Sequence, residues 1–288
     1  MSLAGGKAAR NRGRLRPARV PGIHFLVRLA ITTPLRPSPA EEADARAAAS
    51  QRGLPFAPRG ARAAAEVARE AGADALLVLS PRASVLWCAG EERRWSAGMG
   101  ALRAKRTAAR AAGGGDAITR DPFLEAAGIR AGDRVLDCTA GLGADALVAA
   151  TAAGPEGRVL GLEASALLAA WVGEGLRRSP DPAAARIELR AADHAEALAA
   201  LPDRSFDVVV FDPMFRHARA EPAGFDLLRR LADPRPLSPE ALARARRVAR
   251  RWVLVKDGAP GWDLARLGLV PLPSARGAHR YYARLAPA

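Results

Sequence analysis

Short, nearly unbroken apolar runs alternate with amphipathic stretches through the second half of this chain, regularly enough to lay out its elements. Strands are predicted at 134–138, 158–163, 186–190, 206–211 and 252–256, and a last extended segment at 280–285 follows Pro271-Leu272-Pro273. Helices fall between them at about 144–153, 165–178, 194–200, 239–250 and 261–267. A run such as Val208-Val209-Val210-Phe211 is apolar on both faces, which requires a parallel sheet covered on both sides. Strand–helix alternation of this length makes the class α/β, with a doubly wound, mostly parallel sheet.

The first half reads as a small N-terminal α/β domain. Segment 24–33 is strand-like, 39–53 helical, 54–58 extended and 60–71 helical, and strands at 75–79 and 84–88 are joined by Ser80-Pro81-Arg82. From Trp95 a loop runs into a basic helix through Arg106, and Gly113-Gly114-Gly115 punctuates the chain. The boundaries drawn are 1–20, 21–112 and 113–288. The first piece carries Lys7, Arg10, Arg12, Arg14, Arg16 and Arg19 with no acid, the composition of a disordered basic arm, either a solvated tail or a phosphate tether.

Composition narrows the setting. The chain has 288 residues, 49% of them apolar, and no apolar run nears the ~18–20 residues that cross a bilayer. No membrane partner and no secretory signal are expected. Cys88 and Cys138 lie far apart beside apolar runs, as buried reduced thiols do, and the histidines lack metal-ligand spacing. The expectation is no metal and a reducing, cytoplasmic location. The net charge of +14 favours a polyanionic partner, nucleic acid first. Nearly all the cations are arginine in an Ala-, Arg- and Gly-rich chain, so coding bias is the competing explanation. No heptad or other self-association pattern indicates an oligomeric state.

The densest chemical signal is Asp137-Cys138-Thr139-Ala140-Gly141-Leu142-Gly143-Ala144-Asp145, at the carboxyl end of the first core strand and opening a helix. Ligands of open α/β sheets bind at that edge, and glycines there let backbone approach a ligand. Glu163 ends the next strand, where a carboxylate can accept hydrogen bonds from both hydroxyls of a ribose. The loop also fits the dinucleotide pattern G-x-G-x-x-A. A pyrophosphate, however, wants bare N–H groups and no nearby anion. Asp137 and Asp145 flank this turn and suit the sulfonium and ammonium of S-adenosylmethionine. The plain alternative makes Asp137 a turn former and Asp145 a first-turn helix residue. Asp193 ends the third strand, placed either for an adenine amino group or as the N-cap of the next helix.

The fourth strand ends in Phe211-Asp212-Pro213-Met214-Phe215, similar to the Asp/Asn-Pro-Pro-aromatic motif of enzymes that methylate exocyclic amines. An aryl amine is a poor nucleophile because its lone pair is delocalised into the ring. Asp212 and a backbone carbonyl can accept its N–H bonds and draw the nitrogen toward tetrahedral geometry, while Phe215 offers a stacking face. The alternative is a Pro-ended strand with a core Phe. Arg216, His217 and Arg219 downstream, and Lys256 at the end of the fifth strand, are candidates for substrate phosphates, with His217 also a proton relay, or else part of a solvated loop.

Taken together, D-C-T-A-G-L-G-A-D-A-L-V-A, E-A-S, D-P-M-F and V-L-V-K resemble the RsmJ-type methyltransferases, most clearly over residues 116–260. That family methylates the exocyclic N2 amine of a guanosine in small-subunit ribosomal RNA. The resemblance implies a class I, Rossmann-like methyltransferase fold and S-adenosyl-L-methionine as cofactor. It also implies cofactor contacts at Ala144 and Asp145, at Glu163 and Ala164, near Asp193 and at Asp212, with ribosomal RNA or the small ribosomal subunit as partner. Two positions depart from the family: Ala144 and Ala164 stand where it has arginine. The W-S-A-G-M-G-A-L-R segment resembles a separate branch of related proteins. Besides an RNA N-methyltransferase, the readings open are a methyltransferase for a small molecule or protein, a nicotinamide-dependent oxidoreductase, and a non-catalytic nucleic-acid-binding protein. Trp95 and the Met99–Arg106 helix, with Arg103, Lys105 and Arg106 at spacings that can share a face, are expected to close over the cofactor, grip substrate or form a domain interface.

Overall fold

The computed structural model describes residues 27–111, 113, 121–213, 230–273 and 279–288. The basic arm, His24, Gly114, Gly115, Met214, Phe215, Arg216, His217 and Arg219 lie outside the described residues. Two sheets form the frame. The larger has six strands: β5 (Arg134–Asp137), β6 (Arg158–Glu163), β7 (Ile187–Ala191), β8 (Phe206–Phe211), β9 (Ala249–Gly258) and β10 (Arg280–Leu285), in the order β10-β9-β8-β5-β6-β7. All neighbours are parallel except β10, which runs antiparallel to β9 along the edge. The doubly wound, mostly parallel sheet expected from the sequence is what forms.

Side chains along these strands alternate between two packed faces. Val135, Val159, Val208 and Leu254 enter one core, while Leu136, Leu160, Val209 and Val253 enter the other. The first face is covered by α5 (Ala144–Ala153) and α6 (Ala166–Arg177), the second by α7 (His194–Ala200) and α8 (Pro239–Val248). Burial on both faces is why the strands read as unbroken apolar runs. The chain winds from β5 outward to β7, then crosses to β8 on the other side of β5. That reversal opens a crevice at the carboxyl ends of β5 and β8, where ligands of this architecture sit.

The smaller sheet has the order β1-β2-β3-β4: β1 (Leu29–Thr32), β2 (Ala75–Ser80), β3 (Ala83–Cys88) and β4 (Glu91–Arg94). β1 and β2 are parallel, connected through α1 (Pro39–Arg52) and α2 (Ala64–Ala71). α1 carries a complete capping box between Ser38 and Glu41. After β4 comes α3 (Met99–Ala111), then α4 (Pro122–Ala127); α9 (Trp262–Arg266) follows β9. No helix among the described residues is long and apolar enough to cross a membrane.

Three of the differences from the sequence pattern have a plain local cause. β4 was not foreseen, because Glu91-Glu92-Arg93-Arg94 has no apolar alternation and all four residues are exposed. It forms because Ala89 and Gly90, both at positive φ, make the two-residue turn that folds it back on β3. The six-residue α4 was also missed, although Asp121 caps it, Pro122 opens it and Gly128 ends it in the left-handed region. The helix expected to reach 250 stops at Val248, because Ala249 pairs with Phe206 and starts β9 early.

The two sheets share a core. Ile31, Leu77 and Leu86 of the smaller sheet belong to the same apolar cluster as Leu147, Leu168 and Val172 of α5 and α6. Ser84 Oγ donates to the carbonyl of Trp171 at 2.9 Å, and Trp171 Nε1 returns a bond to the Ser84 carbonyl at 3.2 Å. Glu174, 1% exposed, receives Arg52 of α1 at 2.8 Å together with Arg177 and Arg178 beside it. α3 lies against α5 so closely that a Cβ on Gly100 would stand 2.6 Å from the Cα of Ala144. Only a residue without a side chain permits that approach.

Candidate active site

The crevice is built first from backbone. Beyond Asp137, the last residue of β5, Cys138 N–H bonds the Val210 carbonyl of β8 at 2.9 Å and Ala140 N–H bonds the Leu162 carbonyl of β6 at 2.9 Å. The loop is thus pinned to the strands on either side before it turns into α5. Gly141 and Gly143 hold left-handed φ values of 50° and 76°. A Cβ on Gly141 would meet only the Thr139 carbonyl, at 3.8 Å, so space is open above the loop.

Glu163 ties this loop to the next. Its Oε2 accepts from Gly141 N–H at 3.1 Å and its Oε1 from Ser165 N–H at 2.8 Å. Asp137 accepts from Thr139 N–H at 3.1 Å, the bond of a turn former. Both carboxyls are buried and neither has an ion-pair partner among the described residues. Burial, only partly offset by these backbone bonds, pushes each of them up to about 7.

Beside this pair runs a chain of alternating charges. Asp121, the cap of α4, is gripped by both arms of Arg103 at 2.6 and 3.0 Å. Arg103 also reaches Asp145 at 2.5 Å. Asp145 in turn accepts from Lys256 Nζ at 2.8 Å, and the same ammonium bonds Asp212. Asp212 N–H donates to Thr139 Oγ1 at 2.6 Å, which locks the end of β8 to the glycine loop. Burial opposes the ammonium of Lys256, yet Asp212 and Asp145 outweigh it and raise the lysine above its ordinary range. Burial likewise opposes charge on Asp145, but Lys256 and Arg103 win and hold its carboxyl low. Tyr282, opposite Lys256 on β10, closes the chain from the edge, its hydroxyl pushed up to about 12 by burial.

Most candidates named from the sequence converge here. Asp137, Gly141, Gly143, Asp145, Glu163 and Asp212 share the crevice. Ala144 is pressed against Gly100, and Ala164 is buried beside Glu163. Asp193 is the N-cap of α7, accepting from Ala195 N–H at 2.7 Å, and its other oxygen meets Arg235 at 2.5 Å. Pro213 follows Asp212 at the rim, half-buried. Phe215, Arg216 and His217 fall outside the described residues. Lys256 departs from expectation: it is 7% exposed and shared between two carboxylates, so it is not free to meet a substrate phosphate.

Sequence reasoning missed Arg103 as an inward-facing partner, gave Thr139 no role of its own within the glycine loop, and missed Asp121, Tyr282 and Arg235 altogether. Gly100 three residues before Arg103 was the available sign, since a small residue at that spacing marks the face that packs closely. Trp95 lies in the interface between the two sheets, its Nε1 donating to the Leu142 carbonyl at 3.2 Å.

A family model described as "Putative SAM-dependent methyltransferase" matches residues 98–265. The chain belongs to this methyltransferase family. The methyltransferase is 34% identical over 233 residues to the uncharacterized protein YpiP of Bacillus subtilis, a match covering 79% of this chain and 88% of YpiP. It is 36% identical over 171 residues to ribosomal RNA small subunit methyltransferase J of Alkalilimnicola ehrlichii, covering 51% of this chain and 63% of that one. Among solved structures, a SAM-dependent methyltransferase from Aquifex aeolicus aligns with a TM-score of 0.39 at 16% identity, over 56% of this chain and 85% of that chain. The family match makes the methyltransferase an S-adenosylmethionine-dependent enzyme, and the nicotinamide reading is set aside. Its donor set fits that cofactor: two buried carboxyls without ion-pair partners, beside open backbone at Gly141, provide for hydroxyl donors and cationic groups and would repel a diphosphate.

Proposed function

We propose that the enzyme methylates an exocyclic amino group of an RNA base, with guanine N2 of small-subunit ribosomal RNA as the favoured target. The observation that carries this reading is Asp212. It ends β8 in the ligand crevice, its backbone is held by Thr139 and its carboxylate by Lys256, and 28% of its side chain stays exposed to an incoming group. Support comes also from the net charge of +14 and from the similarity to ribosomal RNA small subunit methyltransferase J of Alkalilimnicola ehrlichii. A ribosomal substrate would make the enzyme cytoplasmic.

S-adenosylmethionine supplies an electrophilic methyl group on its sulfonium. In this reading Glu163 receives the ribose hydroxyls and Asp137 faces the cationic end, with Asp145, held by Arg103 and Lys256, beside it. Gly141 and Gly143 let backbone approach, Ala144 and Ala164 keep the walls small, and Asp193 accepts from the adenine amino group. Asp212 accepts an N–H of the substrate amine and holds its nitrogen in line, with Pro213 stiffening the turn. Phe215 is assigned the stacking face, and Arg216 and His217 the substrate phosphates. Lys256 takes a different role from the one its position in the sequence indicated. Shared between Asp145 and Asp212, it orients both; with Arg103 it holds Asp145 ionised, while burial still raises Asp212 above the ordinary carboxylate range.

The test is transfer from labelled cofactor to protein-free small-subunit ribosomal RNA, followed by nucleoside analysis. Label in N2-methylguanosine is the expected result. Label in another nucleoside moves the target atom, and no label in RNA overturns the reading.

A pH dependence follows from Asp137 and Glu163. Both carry a proton below about 7 in the free protein. The ribose hydroxyls and the cationic cofactor favour the ionised forms, so binding below that pH must release protons. Affinity should therefore rise by roughly tenfold per pH unit, or more, between pH 5.5 and 7 and level off above. Titration calorimetry in buffers of different ionisation enthalpy should show one to two protons leaving at about pH 6. Glu163→Gln should weaken binding and flatten the slope; an affinity independent of pH in the wild type would remove Glu163 and Asp137 from the cofactor's surroundings.

A further inference from the structure

α3 has two faces of different character. Gly100, Arg103, Ala104 and Thr107 point inward, seating the helix against α5 and tying it to Asp145 and Asp121. Beside it runs a solvent-facing stripe of Met99, Leu102, Arg106 and Arg110, flanked by Lys105, at the i, i+3, i+4 spacing that puts side chains on one face.

What sets this stripe apart is the gathering of unpaired cations on one helix beside exposed apolar side chains. Some exposed arginines elsewhere are paired, as Arg28 is with Asp74, Arg46 with Glu42 and Arg190 with Glu188, and others such as Arg69, Arg82 and Arg93 stand singly. Lys105, Arg106 and Arg110 have no carboxylate partner among the described residues, and the 13-residue helix contains no acid. Beside them Met99 and Leu102 stand 66% and 41% exposed, although large apolar side chains in this protein are mostly buried. Unpaired cations beside exposed apolar groups are what a nucleic-acid strand meets: phosphates take the charges, and sugars or bases take the apolar contacts. The helix is also rigidly placed. Gly100 touches the first residue of the helix that follows the glycine loop, and Arg103 is joined through Asp145 and Lys256 to Asp212.

We infer that the outer face of α3 is the docking surface for the RNA strand that carries the target base. The fold thereby holds the strand's backbone at a set distance from Asp212. The inference rests on the RNA reading of the active site and adds the surface that selects the substrate class.

The test compares two triple variants that lose the same charge. One is Lys105→Ala, Arg106→Ala and Arg110→Ala on α3. The other is Arg69→Ala, Arg82→Ala and Arg93→Ala, exposed cations outside α3 and apart from the proposed site. Initial rates are measured on protein-free small-subunit ribosomal RNA across a series of KCl concentrations, with cofactor affinity as a check on folding. In the α3 variant, KM for RNA should rise about 10- to 100-fold, and the log–log dependence of KM on salt should flatten by roughly 2. Its kcat and cofactor affinity should stay within about twofold, and the control variant should match the wild type within about threefold. If the α3 variant behaves like the control while RNA is still methylated, the docking surface is wrong and the RNA reading stands. If the wild type methylates no RNA, both fall.

Discussion

Replacing Asp212 with Ala should remove methyl transfer, by roughly 10³-fold or more in kcat, while leaving affinity for S-adenosylmethionine within about tenfold. The reason is that the acceptor nitrogen must be oriented while its lone pair is withdrawn from the ring, and Asp212 is the carboxylate at the end of β8 exposed enough to do so. Asp212→Asn separates the parts of this role. The amide keeps the shape and one acceptor but loses the charge, so its rate should lie between wild type and Ala, with KM for the acceptor little changed. Rapid-mix single-turnover kinetics, which isolates transfer from product release, is the measurement to use. Full activity in Asp212→Ala would end the assignment. Equal losses of kcat and of cofactor affinity would instead place Asp212 in cofactor binding.

The second large effect is expected at Lys256. Lys256→Met leaves Asp212 without its cation and Asp145 with only Arg103, both in a crevice that resists charge. Breaking a buried pair by removing one partner costs about 3–5 kcal/mol, because the other charge stays behind uncompensated. For a chain of this size that is a fall of roughly 10 °C in Tm. The sign with pH is definite. A carboxylate that has lost its lysine takes up a proton more readily in the folded state than in the unfolded one. The deficit is therefore largest above neutrality and shrinks as acid supplies the missing positive charge. Lys256→Arg keeps the charge and should recover most of the stability but less of the activity, since a planar fork does not reproduce the point contact of an ammonium with two carboxylates. Thermal melts at pH 8 and pH 5.5 decide the matter, and a Met variant as stable as wild type at pH 8 would refute the ion chain.

Much of this architecture was open to sequence reasoning because it depends on local regularities. Three core strands, 158–163, 206–211 and 280–285, form with the bounds their apolar patterns indicate. Apolar runs become buried parallel strands wherever helices cover both faces, and the glycine loop after Asp137 turns because its residues permit it. The acids at strand ends could be named because α/β sheets present their carboxyl edges to ligands. β4 escaped, since four charged residues form a strand only when a neighbour supplies the hydrogen bonds. α4 was there to be read in Asp121, Pro122 and Gly128, but its six residues are too few to show a period.

The pairing of charges was of another kind. Lys256 ends an apolar strand in the same way whether it reaches outward to a phosphate or inward to an acid. Its fate depends on β9 lying beside β8 and β8 beside β5, an order that brings residues 111 positions apart to 2.8 Å. Arg103 likewise looked like one more cation on a basic helix until the contact of Gly100 with Ala144 turned it toward Asp145 and left Lys105 and Arg106 outside. Periodicity and motif record what each residue needs nearby, whether apolar cover, a turn or an opposite charge. Which partner meets that need is decided by strand order and helix packing, because ion pairs and hydrogen bonds act over a few ångströms and the chain brings distant residues within that range only when folded.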